Sequence, residues 1–370
     1  MEIRMITPCL FGLEGLVADE LRRLNMKTVE AENGRVLFSG EMADVARANI
    51  NLRCGERVLL EMGQFSAHSF DALFEAVKAL PWERYLTQNA AFPVKGYALN
   101  SALHSVPDCQ KIIKKAIVER LKQTYHQNWF AEDGPVYQVQ FSILKDWATL
   151  SIDTSGPGLH KRGWRAEGVT APLRETLAAG MVILSRYRGK DAFCDPFCGS
   201  GTIAIEAALL ACNRAPGLGR SFAAQKWSQF PKAVWEQAKE EARAREFHRE
   251  YDIWGGDLDP KAVAIAKSNA KKAGVSQLIR FERADAKTFA PQGERGTIVT
   301  NPPYGERMLE KEEAEALSAA FGAAYRRLAG WKLCLLSSDE KLEQHFGRRA
   351  EKKRKLYNGM IPCNLYYYGK

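Results

Sequence analysis

Asn301-Pro302-Pro303-Tyr304 follows the apolar pair Ile298-Val299, where a sheet strand would end. Prolines cannot donate to a ladder, fix their own φ and hold the preceding residue extended. The segment therefore fixes its polar groups in one place. The Asn301 side-chain carbonyl and the Pro302 backbone carbonyl are two acceptors suited to both hydrogens of an exocyclic NH₂, and Tyr304 offers a face on which the ring can stack. A ring amine is a weak nucleophile because its lone pair is delocalised. Drawing its hydrogens toward two acceptors localises that pair as a new C–N bond forms, which stabilises the transition state. The chemistry this suits is attack of the amine on an electrophilic methyl held in line.

Three acids at successive strand ends would hold the methyl donor. "FCDPFCGSGTIAIEAALL" (193–210) places Asp195 after a short strand and Gly199-Ser200-Gly201 before a helix. The glycines allow a tight turn and close backbone approach to a ligand. No Gly-Lys-[Ser/Thr] follows, so a phosphate loop is not indicated. Asp195 is placed to accept from an ammonium group. In "YDIWGGDLDP" (251–260), Asp257 stands where an acid grips two ribose hydroxyls. Asp259 precedes Pro260 and reads as a helix cap. In "FERADAKTF" (281–289), Asp285 can accept from an adenine amine. Phe197, Thr202, Leu258 and Ala286 flank these acids and complete the expected cofactor set.

Alternating patterns supply the elements that position them. From Pro172 onward, strands (192–195, 251–257, 279–283, 297–300, 331–337) alternate with helices (172–185, 201–210, 260–273, 312–328), a doubly wound parallel sheet. Residues 213–249 interrupt the alternation as a partly helical, aromatic-rich insertion, and 365–368 read as a final strand. The front half reads as two small α/β units. The first has a strand at 4–10, a helix at 13–24, a hairpin about Asn33-Gly34 and a helix at 44–52. The second has strands at 57–65, 92–98, 136–144 and 147–153, with helices at 69–80 and 108–125. "TSGPGLHKRGWR" (154–165), with three glycines and a proline, reads as the linker.

Asp195-Pro196-Phe197-Cys198-Gly199-Ser200-Gly201-Thr202, together with Asn301 to Gly305, resembles the S-adenosylmethionine-dependent amino-methyltransferases. "LHKRGWR…APLRETLAAG" (159–180) and "RAPGLGRSFAAQKW" (214–227) resemble, more closely, the THUMP-domain RNA guanine-N2 methyltransferases, above all the bacterial large-ribosomal-subunit enzymes. The resemblance covers nearly the whole chain. It implies an α/β protein with a ferredoxin-like domain (1–55), an RNA-binding THUMP domain (56–155), a linker (156–170) and a Rossmann-like methyltransferase domain (171–370). It also implies S-adenosyl-L-methionine as cofactor, RNA (23S rRNA or a ribosomal precursor particle) as partner, and no metal. Asn301 to Tyr304 match the catalytic motif, and Asp195, Gly199 and Gly201 the cofactor loop. Some fused relatives carry a second catalytic domain, and the residues up to Lys370 have room for one only. The tetrapeptide is shared with adenine-N6 enzymes, so an adenine-N6 methyltransferase stays open, as does a non-catalytic RNA-binding assembly factor.

Net charge is +9, divided as −2 over residues 1–155 and +11 over 156–370, which is compatible with a polyanionic partner. The candidate RNA contacts are Lys161, Arg162, Trp164 and Arg165 in the linker, Lys111 and Lys115 on the helix at 108–125, and Arg348, Lys352 and Lys353 in "GRRAEKKRKLYNG" (347–359). Arg174 flanks the linker as a further basic residue suited to a nucleic-acid backbone, and the resemblance, which sets this region beside the cofactor site, implies bracing of the catalytic domain as its alternative role. Eight scattered cysteines show no zinc spacing and read as buried small apolar residues. No P-C-x-x-C partner occurs for a histidine, which argues against a zinc deaminase. No apolar run of eighteen residues or secretory leader pattern occurs, so a cytoplasmic protein is expected.

Overall fold

The computed structural model describes residues 2–165, 173–303 and 308–369. The front half is built from β1 (Ile3–Pro8), α1 (Glu14–Arg23), β2 (Lys27–Glu32), β3 (Arg35–Gly40), α2 (Met42–Asn51), β4 (Leu59–Ser66), α3 (Phe70–Ala79), β5 (Val94–Leu99), α4 (Val106–Tyr125), β6 (Val139–Leu144) and β7 (Trp147–Asp153). Its two units share one seven-stranded sheet of order β2-β3-β1-β4-β7-β6-β5. They join where β4 pairs with β1, Leu59 opposite Ile6 and Leu60 opposite Met5.

The rear half contains α5 (Glu175–Leu184), β8 (Ala192–Asp195), α6 (Thr202–Ala211), α7 (Lys232–Arg243), β9 (Ile253–Asp257), α8 (Pro260–Ala273), β10 (Ile279–Arg283), β11 (Gly296–Thr300), α9 (Met308–Tyr325), β12 (Trp331–Ser337), α10 (Leu342–Phe346), β13 (Lys352–Asn358) and β14 (Ile361–Tyr368). The sheet order is β10-β9-β8-β11-β12-β14-β13. β8 to β12 are mutually parallel, while β14 runs antiparallel to both of its neighbours. All five residues of β11 are buried, as a central parallel strand covered on both faces requires. From β8 the chain winds outward to β10 and then returns to β11 on the other side. That reversal opens a crevice at the carboxyl ends of β8 and β11.

The segment after β7 is packed between the halves, which corrects its reading as an exposed linker with RNA-facing side chains. Arg162 pairs with Glu206 of α6 at 3.2 Å with both side chains at most 1% exposed. It also donates to the carbonyls of Arg53 and Leu159. Trp164 is 4% exposed. Arg165 pairs with Glu175 at 3.3 Å and donates to the Leu173 carbonyl and Thr202 Oγ1. Of the four expected contacts in this segment, Lys161 alone is exposed. The insertion closes the same contact. Trp227 stacks on Tyr137 at 4.3 Å and its Nε1 donates to the Val136 carbonyl, while Arg47 of α2 pairs with Glu241 of α7 at 2.9 Å. A Cβ at Gly217 would lie 2.7 Å from the Ile50 Cα, so the backbones touch there.

Candidate active site

One cavity of about 1010 Å³ opens at the crevice. Its walls come from four consecutive strand ends: Pro196, Phe197 and Gly199 after β8, Asp257 and Leu258 after β9, Asp285 and Ala286 after β10, and Asn301 to Pro303 after β11. These positions lie far apart in sequence and meet because each follows a parallel strand into the same edge of the sheet.

The glycine loop explains its own residue types. Gly199 has φ +50°, and a Cβ built there meets nothing within 4 Å, so the space above it faces the cavity. Gly201 has φ +82° and starts α6; a Cβ there would come within 2.9 Å of the Ala266 Cβ and 3.0 Å of the Phe281 ring. Gly201 is thus required for packing, while Gly199 leaves room for a ligand. Thr202 is buried behind the loop and bonded to Arg165. Neither Gly201 nor Thr202 lines the cavity, and their part in holding a ligand is to shape the turn.

Asp195 is 1% exposed. Its Oδ1 accepts from Thr300 Oγ1 at 2.7 Å and from the Phe197 N–H at 3.3 Å, while Oδ2 has no partner among the described residues. Burial, and secondarily the charge of Asp257, raise its pKa to about 7 against the hydrogen bond from Thr300. A buried carboxylate oxygen without a donor fits a cationic group of a ligand. Asp257 receives the Gly199 N–H at 2.9 Å and the Asp259 N–H at 2.9 Å, so it ties the glycine loop to the end of β9. Asp259 accepts from the Lys261 N–H and caps α8, as its place before Pro260 implies. Asp285 accepts from the Lys287 N–H at 2.9 Å. Asn301 is half-buried and Pro302 buried at the end of β11. Tyr304 lies outside the described residues.

Three parts of the wall, besides Glu313, Ala316 and Leu317 of α9, lie outside the expected cofactor and catalytic sets. The β13–β14 hairpin brings Asn358, Gly359 and Ile361 to the cavity, with Met360 beside them 95% exposed. Arg174, expected as a backbone contact or a brace, lines the cavity and pairs with Glu56 of the front half at 3.6 Å. Glu56 also receives the Thr176 hydroxyl and faces His160 Nδ1 at 2.9 Å. Lys287 is the third. On the front half, Leu99, Leu144 and Trp147 lie in register across β5, β6 and β7 and are about half exposed, an apolar row that alternation alone would have placed.

The remaining basic candidates are scattered. Lys111 and Lys115 are exposed on α4, Lys111 near Asp108 at 3.8 Å. Their neighbours Lys114 and Lys122 are tied to Glu132 and Glu119. Arg348 faces Glu351 at 3.7 Å, Lys353 is bound to Glu343, and Lys352 is exposed. β13 carries Lys352 and Lys353 at its start and reaches the cavity only at Asn358. Five residues of strand, about 3.3 Å each, lie between Lys352 and Asn358 at the cavity.

A Gly-loop, two strand-end acids and an Asn-Pro-Pro segment around one crevice, with a third acid, Asp195, buried at the end of β8, define an S-adenosylmethionine-dependent methyltransferase. Residues 162–367 match the model of the RMKL-like methyltransferase domain, residues 4–59 that of the RlmL ferredoxin-like domain, and residues 67–153 that of the THUMP domain. The chain belongs to the RMKL-like methyltransferase family. It is 44% identical to "Putative RNA methyltransferase YpsC" of Bacillus subtilis over 98% of this chain and 95% of that protein. It is 38% identical to the ribosomal RNA large subunit methyltransferase K/L of Syntrophotalea carbinolica over 96% of this chain, and spans about half (52%) of that longer relative. Among solved structures, one titled a predicted N6-adenine-specific DNA methylase from Listeria monocytogenes superposes with TM-score 0.95 at 44% identity, covering all of this chain and 96% of that one. SMU.472, a methyltransferase complexed with SAH, superposes with TM-score 0.94 at 38% identity, covering all of this chain and 98% of that one.

Proposed function

We propose that this protein methylates the exocyclic N2 amine of a guanosine in RNA, the RNA being 23S rRNA. The observation that carries the reading is the presence of Asn301 and Pro302 on the wall of the same cavity as Gly199, Asp257 and Asp285. S-adenosyl-L-methionine, when bound, supplies the electrophilic methyl. Asp257 would accept from the ribose hydroxyls and Asp285 from the adenine amine. The open space above Gly199 and the unpartnered Asp195 oxygen fit the amino-acid end. The Asn301 side-chain carbonyl and the Pro302 carbonyl accept the two hydrogens of the target amine and orient its lone pair. Tyr304 stacks on the base. No strong base is needed, because the proton leaves once the nitrogen has become cationic, and Asn301 polarises the N–H bond that breaks.

RNA as substrate is supported by the THUMP match and by the names of the YpsC and K/L relatives. The Listeria title favours a second reading, adenine N6 as target, which the Asn-Pro-Pro-Tyr turn serves equally well. Incubation with isotope-labelled cofactor and rRNA, followed by mass analysis of the nucleosides, separates them. N2-methylguanosine supports the proposal, N6-methyladenosine replaces it with the second reading, and no incorporation argues for a non-catalytic RNA-binding factor.

A further inference from the structure

A second cavity, of about 610 Å³, lies between α1 of the front half and the carboxyl ends of α5, α6 and α7. Five arginines line it: Arg23, Arg53, Arg186, Arg188 and Arg245. None of the five has a carboxylate within ion-pair distance among the described residues. Two acids are on the wall, and one of them, Glu20, interacts electrostatically with Arg53. Asp19 pairs with Arg22 at 3.0 Å, and Glu20 accepts the N–H groups of Arg53 and Cys54. Arg53 is 7% exposed; its Nη2 donates to the Leu209 and Arg214 carbonyls, and its Nη1 has no acceptor among the described residues. Four exposed guanidiniums thus surround a fifth that is buried and only partly satisfied.

We infer that this interdomain cavity is a binding site for phosphate-type oxyanions, a phosphodiester of a nucleic-acid backbone or a free phosphate compound. Planar guanidinium forks match such oxygens bidentately, and five arginines against two acids leave an excess of positive charge that an anion joining them offsets. Burial, then the neighbouring charges of Arg23 and Arg186, pull Arg188 below the ordinary arginine value, as such crowding would. The cavity adjoins a groove of about 630 Å³ past Arg23, Leu24 and Arg245, where Glu41, Asp44 and Glu241 offset Lys27 and Arg47, so the excess positive charge is confined to the cavity itself. It is separate from the methyl-transfer crevice. α6 starts at the glycine loop and ends here, and its ten residues at about 1.5 Å each span about 15 Å.

The test compares the full-length protein with R186Q/R188Q, which changes exposed side chains and leaves the crevice untouched. Two ligands are used: pyrophosphate, read by its effect on the unfolding midpoint, and a single-stranded RNA oligonucleotide titrated over a salt series. If a free phosphate compound is the ligand, pyrophosphate raises the wild-type midpoint and has little effect on the variant. If a backbone is the ligand, RNA affinity falls at least several-fold and the salt slope drops by about 1, near 0.7 per phosphate contact for single strands. S-adenosylhomocysteine affinity is unchanged in either case, and the pyrophosphate arm holds whatever the methylated substrate proves to be. Equal midpoints, equal RNA affinity and equal salt slopes in the two proteins overturn the inference.

Discussion

Asp195 has one oxygen held by Thr300 and Phe197 and one with no donor, and burial, then the charge of Asp257, raises its pKa against those hydrogen bonds. The folded value of about 7 lies above the ordinary aspartate value of about 3.9. Its contribution to stability is therefore full below about pH 4 and is lost as pH rises through about 7. Asp195→Asn keeps the Oδ1 bonds and removes the charge. The unliganded variant should match the wild type in thermal unfolding at acid pH near 4 and exceed it at pH 8. Ligand binding should move the other way. If Asp195 takes the cofactor's ammonium, S-adenosylhomocysteine affinity of the wild type rises as pH climbs toward 7, and the variant loses both the affinity and that dependence. Asn301→Ala should abolish turnover and leave calorimetric affinity for S-adenosylhomocysteine within a few-fold. Asp257→Ala should weaken that affinity by about 1.5–3 kcal/mol, the scale of a charge-assisted hydrogen bond.

At the scale of elements, the glycine loop separates packing from binding. Gly201→Ala forces a Cβ against Ala266 at a positive φ, so it should lower stability by about 1–3 kcal/mol in a denaturant titration. Gly199→Ala meets no neighbour and should cost about 1–2 kcal/mol of backbone strain at most, while its methyl enters the ligand space and weakens S-adenosylhomocysteine binding more than Gly201→Ala does. The strand-end acids Asp195 and Asp257 and the Asn-Pro-Pro segment were legible because β8, β9 and β11 are short, largely apolar runs that Asp195 and Asp257 end and Asn301 directly follows. β13 was not. Its Lys352 and Lys353 read as RNA contacts, yet lysines are also what an edge strand tolerates. With β13 went the hairpin tip at Asn358 and Gly359, so one wall of the cavity had no signal in the chain's periodicity.

At the scale of the whole molecule, the front sheet and the methyltransferase half are joined by buried polar and aromatic contacts. "HKRGWR" looked like an RNA-facing linker because basic and aromatic letters suit either a nucleic acid or an interdomain clamp. Burial decides between them, and burial is a tertiary property: Arg162 is placed by Glu206, forty-four residues away, and by the Arg53 carbonyl across the domain contact. Arg162→Ala leaves Glu206 buried without its cation and should cost about 3–5 kcal/mol in unfolding free energy. No helix among the described residues is long and apolar enough to cross a membrane. Because Arg174 at the crevice is held by Glu56 of the front half, the crevice belongs to both halves rather than to the rear sheet alone.

The crystal structure of the protein with S-adenosylhomocysteine tests the central claim most directly. The account predicts the adenosine along Asp257 and Asp285, the amino-acid end above Gly199, and the sulfur within about 5–6 Å of the Asn301 amide, leaving room for an amine at attack distance of about 3–3.5 Å from a methyl. A ligand seated elsewhere, or an Asn301 amide more than about 10 Å from the sulfur, would contradict it, since no attack geometry spans that gap.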